Sequence, residues 1–153
     1  MAEYLANAVQ EVDLNSPILF TASIPCPQGN VYHEDETGVF ILRGPNASTC
    51  NRFARYQITF NGNIAIPTGG AVTPIAVAIA ENGEARPTSR AIFTPAAVDT
   101  YGNVTSTAII TVPKCCCFQI SVRYVSSITG DAATTPTPTI NVINANLEIN
   151  RIA

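Results

Sequence analysis

Any chemistry in this chain of 153 residues would have to come from its five cysteines and its one histidine. Cys115, Cys116 and Cys117 form an unbroken triplet, while Cys26 and Cys50 stand apart from it. Zinc is usually held by cysteine pairs separated by about two to four residues. Neighbouring cysteines in an extended chain project to opposite faces, so three in a row do not readily serve one ion. A nucleophilic cysteine needs a base beside it, and His33 is the sole histidine that could act as one. Two other readings stay open. Two of the thiols pack as small apolar residues with the third exposed at a turn, or the thiols cross-link neighbouring subunits or pair with Cys26 or Cys50 in an oxidising setting. An odd number of cysteines favours at least one unpaired or intermolecular thiol.

His33 stands in His33-Glu34-Asp35-Glu36. Clustered hard oxygen ligands could hold a divalent cation. The stretch lacks the glycine-spaced loop of a calcium site, and its acids alternate in direction, so a solvated acidic turn is the expectation. Asn46-Ala47-Ser48 and Asn103-Val104-Thr105 match a glycosylation pattern, read here as chance. The sequence contains no Ser-His-Asp set, phosphate-cradling glycine loop or paired-carboxylate arrangement. The expectation is a non-enzymatic protein without cofactor or metal.

The elements that would carry these residues are strands. Tyr56, Ile58, Phe60, Ile64 and Ile66 alternate with Arg55, Gln57, Thr59, Asn61 and Asn63. Phe118, Ile120, Val122 and Tyr124 alternate with Gln119, Ser121 and Arg123, and Ile143, Ala145, Leu147 and Ile149 alternate with Asn144, Asn146, Glu148 and Asn150. Each pattern predicts a half-buried strand, apolar inward and polar outward. Ile75, Val77 and Ile79 alternate with alanines, which suits a strand packed on both faces. Asn82-Gly83 predicts a two-residue hairpin. Pro67, Pro87, Pro95, Tyr101-Gly102-Asn103 and Pro113 mark further turns, and residues 129–139 read as a long loop. The expectation is a single domain over residues 15–153, an all-β jelly-roll sandwich of about eight to ten antiparallel strands, preceded by an N-terminal arm or first strand over residues 1–14.

Composition narrows the function. Charged residues make up 12% of the chain, with one lysine, Lys114, and no tryptophan. Ordinary soluble domains carry about 25%. Surface so poorly charged must be covered by Asn, Thr and Ser or buried against copies of the same chain. A net charge of −3 gives no footprint for nucleic acid. No apolar run approaches the roughly 18–20 residues of a membrane-spanning helix. The N-terminus has an early acid and no basic or long apolar region, so it does not read as a secretory signal. The expectation is synthesis in a cytoplasm, with any outside location reached by lysis or a leaderless route.

Several stretches, taken in order, resemble the bacterial branch of the C1q/TNF-like jelly rolls, typified by the C-terminal domains of collagen-like spore-surface glycoproteins. They are Asn15-Ser-Pro-Ile-Leu-Phe-Thr21, Ala54-Arg-Tyr-Gln-Ile-Thr-Phe60, Ile75-Ala-Val-Ala-Ile-Ala-Glu-Asn-Gly-Glu84, Thr105-Ser-Thr-Ala-Ile-Ile-Thr-Val112, Phe118-Gln-Ile-Ser-Val122 and Ala145-Asn-Leu-Glu-Ile149. The resemblance implies a tight homotrimer with aromatic-bearing strands near its axis, making Tyr56, Ile58, Phe60, Phe118 and Ile120 candidate trimer-core residues. The chain lacks a Gly-X-Y stalk, and its cysteine triplet stands where that family has a Gly-Asp turn.

Two functions follow as expectations. One is a self-assembling structural subunit on the exterior of a phage particle, as head decoration or fibre, or of a spore or extracellular filament, with itself and a shell protein as partners. The other is a trimeric receptor- or carbohydrate-binding module, with a host-surface glycan as partner. Its recognition surface would be residues 30–37 and 129–139, with Tyr32 and Tyr101 as candidate aromatic contacts.

Overall fold

A computed structural model describes residues 1–24, 29–127 and 137–153. The three longest strands set the architecture. β6 (Phe53–Ala65), β10 (Gly102–Pro113) and β12 (Thr139–Arg151) each alternate apolar and polar residues over 12 or 13 positions. A strand of that pattern must lie with one face on a core and the other outward. They lie side by side in one antiparallel sheet, in the order β10-β6-β12, and β1 (Ala2–Ala6) and β3 (Ala22–Ile24) extend it. β2 (Gln10–Asp13) pairs with the first part of β12.

The second sheet runs β4 (Val31–His33), β5 (Phe40–Arg43), β11 (Cys117–Val125), β7 (Ile75–Glu81) and β8 (Glu84–Ala85), with β9 (Ala91–Phe93) also on β7. A single 3₁₀ turn, Pro87–Ser89, joins β8 to β9. Two antiparallel sheets packed face to face make the jelly-roll sandwich that the strand pattern predicts. Twelve strands stand among the described residues. The count exceeds ten because β3, β4, β8 and β9 are edge pieces of two or three residues, too short to show a period.

The hairpin at Asn82-Gly83 forms as its residues dictate. Asn82 has φ 51° and Gly83 φ 87°, the left-handed pair that a tight two-residue turn requires. β7 is buried along both faces, Ile75, Val77 and Ile79 in the main core and Ala76 and Ala78 in a small second cluster with Val125.

One alternation departs from expectation. Between Ile143 and Asn146 of β12 the register against β6 slips, and Asn144 adopts φ 52°. This is a β-bulge, one extra residue that turns the strand over. Ala145, Leu147 and Ile149 point inward as the pattern implies. Before the bulge the inward residues are Ile140 and Val142, and Ile143 falls on the outward side, only half-buried.

Residues 1–14 are not a free arm. β1 is hydrogen-bonded between β12 and β3, and Tyr4 is buried with its ring against Phe40 at 4.6 Å. From β2 the chain crosses to the other sheet, where Pro17 bridges Arg123 of β11 and Ile18 and Phe20 enter the core.

The residues that the resemblance puts at a trimer axis need correction. Tyr56, Ile58, Phe60 and Ile120 have no exposed surface within the single chain, and Phe118 packs half-buried on the same core. The Tyr56 hydroxyl donates to the carbonyl of Arg43. Tyr56, Ile58, Phe60 and Ile120 fill the space between the chain's own two sheets and have no surface left to present to a neighbour, whereas Phe118 keeps part of its ring exposed.

Candidate functional site

The outward face of the β10-β6-β12 sheet is a broad surface with little charge. Register sets Asn63 opposite Asn103, Asn61 opposite Thr105, Thr59 opposite Thr107 and Gln57 opposite Ile109. On the other side Asn146 lies opposite Asn61, Glu148 opposite Thr59 and Asn150 opposite Gln57. The only charged residue in β6 or β10 is Arg55. Asn103 donates through Nδ2 to Asn61 Oδ1 at 2.6 Å, and Asn63 Oδ1 lies 3.2 Å from the same nitrogen. Asn146 donates to Glu3 Oε1 at 2.6 Å. Cross-strand amide pairs of this kind hold outward side chains in place and limit the entropy lost if a partner covers them. Among these polar groups Ile109 is 54% and Phe53 42% exposed. The Asn61–Asn63–Asn103 set escaped the sequence reading. Its β6 members are visible there as outward residues, but nothing in the sequence shows that β10 pairs with β6.

The free edge of β10 is capped at one carbonyl and tied to the Pro87–Ser89 turn by one side chain. Arg86 Nη1 donates to Ile109 O at 2.9 Å, and the Ser106 hydroxyl donates to Ser89 O. A long uncharged edge strand would otherwise invite strand addition.

At one end of the sandwich the loop between β5 and β6 meets the turn between β10 and β11. Gly44 N donates to Cys116 O at 2.9 Å, Cys115 N to Pro45 O at 3.0 Å and Lys114 N to Arg52 O at 2.9 Å. Lys114 Nζ donates to Thr49 O at 2.7 Å. This lacing gathers Cys50 and the cysteine triplet at one end of the sandwich. All four are exposed free thiols. None packs as a small apolar residue, which corrects that reading. Cys26 lies outside the described residues.

His33 is a packing residue. Its ring stacks on Phe40 at 4.3 Å and meets the edge of Tyr4 at 4.9 Å, while Nε2 lies 2.9 Å from Thr37 O. Among the described residues no three of His, Cys, Asp and Glu converge so that they could hold a metal ion. Tyr32 and Tyr101 are both exposed, at 51% and 41%. Tyr32 is on β4, an edge strand whose His33 touches Tyr4 of β1, whereas Tyr101 precedes β10, which packs beside β7 and β9. The two tyrosines therefore occupy opposite flanks and do not form one site. Tyr32 lines an open recess of about 190 Å³ with Glu34, Thr37, Val39 and Ile41. Most of the loop 129–139 lies outside the described residues.

Burial acts on the Tyr124 hydroxyl. The Tyr124 hydroxyl donates to Thr137 O at 2.6 Å inside the sandwich, and desolvation pushes its pKa from 10 up to about 12.

No family model matches the chain, and no curated protein matches it. Solved structures do. The globular domain of zebrafish complement 1qA protein superposes with a TM-score of 0.63 at 11% identity, covering 99% of this chain and 96% of that one. Eiger TNF from S. frugiperda superposes with a TM-score of 0.60 at 10% identity, covering 100% of this chain and 92% of that one. The architecture is thus a C1q/TNF-like jelly roll. At these identities the likeness concerns the fold.

Proposed function

We propose that the chain is a non-enzymatic, homotrimeric jelly-roll subunit that assembles through the outward face of its β10-β6-β12 sheet and serves on the exterior of a larger body. A phage particle, a spore surface or an extracellular filament are the bodies that suit it. The observation that carries the reading is the character of that face. The three longest strands present amides, hydroxyls and an exposed isoleucine, with a single charge on two of them. Interface cores are depleted in charge relative to the rest of a protein surface. A closed symmetric assembly buries such a face once per copy and leaves no sheet open to further addition. The fold of complement 1qA and Eiger TNF, and the order of segments like those of spore-surface glycoproteins, support a trimer.

Light scattering on the reduced full chain at micromolar concentration tests this. The mass of three chains is expected, and a monomer would remove the reading.

A second reading is a trimeric receptor- or carbohydrate-binding module, favoured by the exposed Tyr32 beside its open recess. A glycan array tests it: binding lost in Tyr32→Ala would support it, and a flat array would count against it. Tyr101, on the other flank, would belong to a separate contact.

A further inference from the structure

Four thiols on one end of a sandwich call for an explanation that packing does not supply. Cys50, Cys115, Cys116 and Cys117 are all exposed, so they add nothing to the core. No three of them, with or without a histidine or an acid, converge into a cation site among the described residues. The backbone beneath them is held firmly, by Gly44 N on Cys116 O, Cys115 N on Pro45 O and Lys114 N on Arg52 O. Cys115 also sits at φ 62°, in the left-handed region that a residue with a Cβ adopts at a cost. Glycine or asparagine would fill that turn more cheaply. A strained, exposed thiol on a fixed platform is a poor choice for stability alone.

We propose that this end of the sandwich is a disulfide junction to a second copy of the chain, with Cys115, Cys116 and Cys117 as the bonding residues. A second copy suits the site for a geometric reason. When copies from two separate trimers meet about a twofold axis, the same patch faces itself, so thiols meet thiols without any other cysteine-bearing partner. Successive residues through the turn point in different directions. One of the three can then reach the narrow separation that a disulfide requires over a range of approach angles.

The bond forms by exchange with an oxidised small-molecule disulfide, for which oxidised glutathione serves. A protein thiolate attacks one glutathione sulfur, giving a mixed disulfide and releasing one glutathione. A thiolate of the second copy then attacks the protein sulfur and releases the other. Two protein thiols are oxidised to one disulfide, and one glutathione disulfide is reduced to two thiols. The inference rests on copies meeting, as the assembly reading does, but concerns a covalent contact at the end of the sandwich rather than the sheet face.

The test uses the full chain, reduced and then treated with oxidised glutathione. Non-reducing denaturing electrophoresis and intact mass are the readouts. Covalent dimers or larger species that collapse with dithiothreitol are expected. They should be lost in a variant combining Cys115→Ser, Cys116→Ser and Cys117→Ser, and kept in Cys26→Ser and in Cys50→Ser. Single chains carrying only glutathione adducts, or an internal disulfide, would overturn the proposal. So would a triple variant that cross-links as readily as the parent. Light scattering of the triple variant in reductant checks that it folds and assembles, and separates failure here from failure of the trimer.

Discussion

Asn103 on β10 donates its side-chain amide to Asn61 on β6 at 2.6 Å, although the two are 42 residues apart in sequence. Asn63, directly opposite Asn103, shares the same nitrogen at 3.2 Å. Together they stiffen a sheet face that is polar but almost uncharged. Such a face is soluble when open and inexpensive to desolvate when each amide already has a partner.

That balance yields the first prediction. Thr107 lies on this face opposite Thr59, and both point outward. Thr107→Arg places the same charge at the same position of every copy. In an assembly built on this face, burying that unpaired charge costs several kcal/mol, about a hundredfold or more in dissociation constant. The fold should be unaffected to within about 0.5 kcal/mol, as for other exposed positions. Light scattering should therefore report single chains while thermal unfolding of the subunit persists. An unchanged mass would show that copies do not meet here.

Alkaline stability follows from Tyr124. Its pKa is about 12 in the folded chain against 10 when unfolded, because burial disfavours the phenolate. Below pH 10 both states keep the proton and the group's contribution is complete. Between pH 10 and 12 the unfolded chain releases its proton while the folded chain retains it, so stability falls as pH rises, by about 2–3 kcal/mol in all. Urea unfolding at pH 9 and at pH 11 measures the slope. Tyr124→Phe should remove this component and cost about 1–2 kcal/mol at neutral pH, since Thr137 O loses its donor.

The bulge in β12 can be probed at Asn144, exposed and at φ 52°. Asparagine tolerates that region, whereas a β-branched residue does not. Asn144→Val should destabilise by about 1–2 kcal/mol, and Asn144→Gly by no more than about 0.5 kcal/mol. Equal stability of the two variants in urea would mean that the bulge shifts along the strand.

The same bulge shows where the sequence stops being informative. Alternation marks β6, β11 and the end of β12 because a strand half-buried on a core must alternate, and Asn82-Gly83 marks its hairpin because few other pairs adopt two positive φ angles. Ile143 departs from the alternation because one inserted residue reverses every side chain before it. The alternation marks Tyr56, Ile58, Phe60 and Ile120 as inward, and inward here means toward the opposite sheet of the same chain. Cys50 and the triplet come to one end of the sandwich only through hydrogen bonds between the 44–52 loop and the 113–116 turn. A pairing across that separation leaves no local trace. Tyr32 and Tyr101 look alike in sequence but are carried to opposite flanks by strand order alone.

The thiol platform itself depends on a close approach at Gly44. A Cβ added there would stand 2.0 Å from Pro113 O and 3.2 Å from Cys116 O, both backbone atoms that cannot swing aside. Gly44→Ala must therefore push the 113–116 turn away and weaken the bonds from Gly44 N to Cys116 O and from Cys115 N to Pro45 O. Overpacking of this kind typically costs about 1–3 kcal/mol. The expected result is a lower unfolding midpoint in urea, together with faster hydrogen exchange at the Gly44 and Cys115 amides, while amides in the centre of β6 are speeded only by the global loss. Exchange that rises uniformly, with no excess at the turn, would mean that the loop and turn do not depend on this contact. A variant with the local excess should also cross-link less selectively through the cysteine triplet, because the turn that fixes Cys115 at φ 62° would no longer be held.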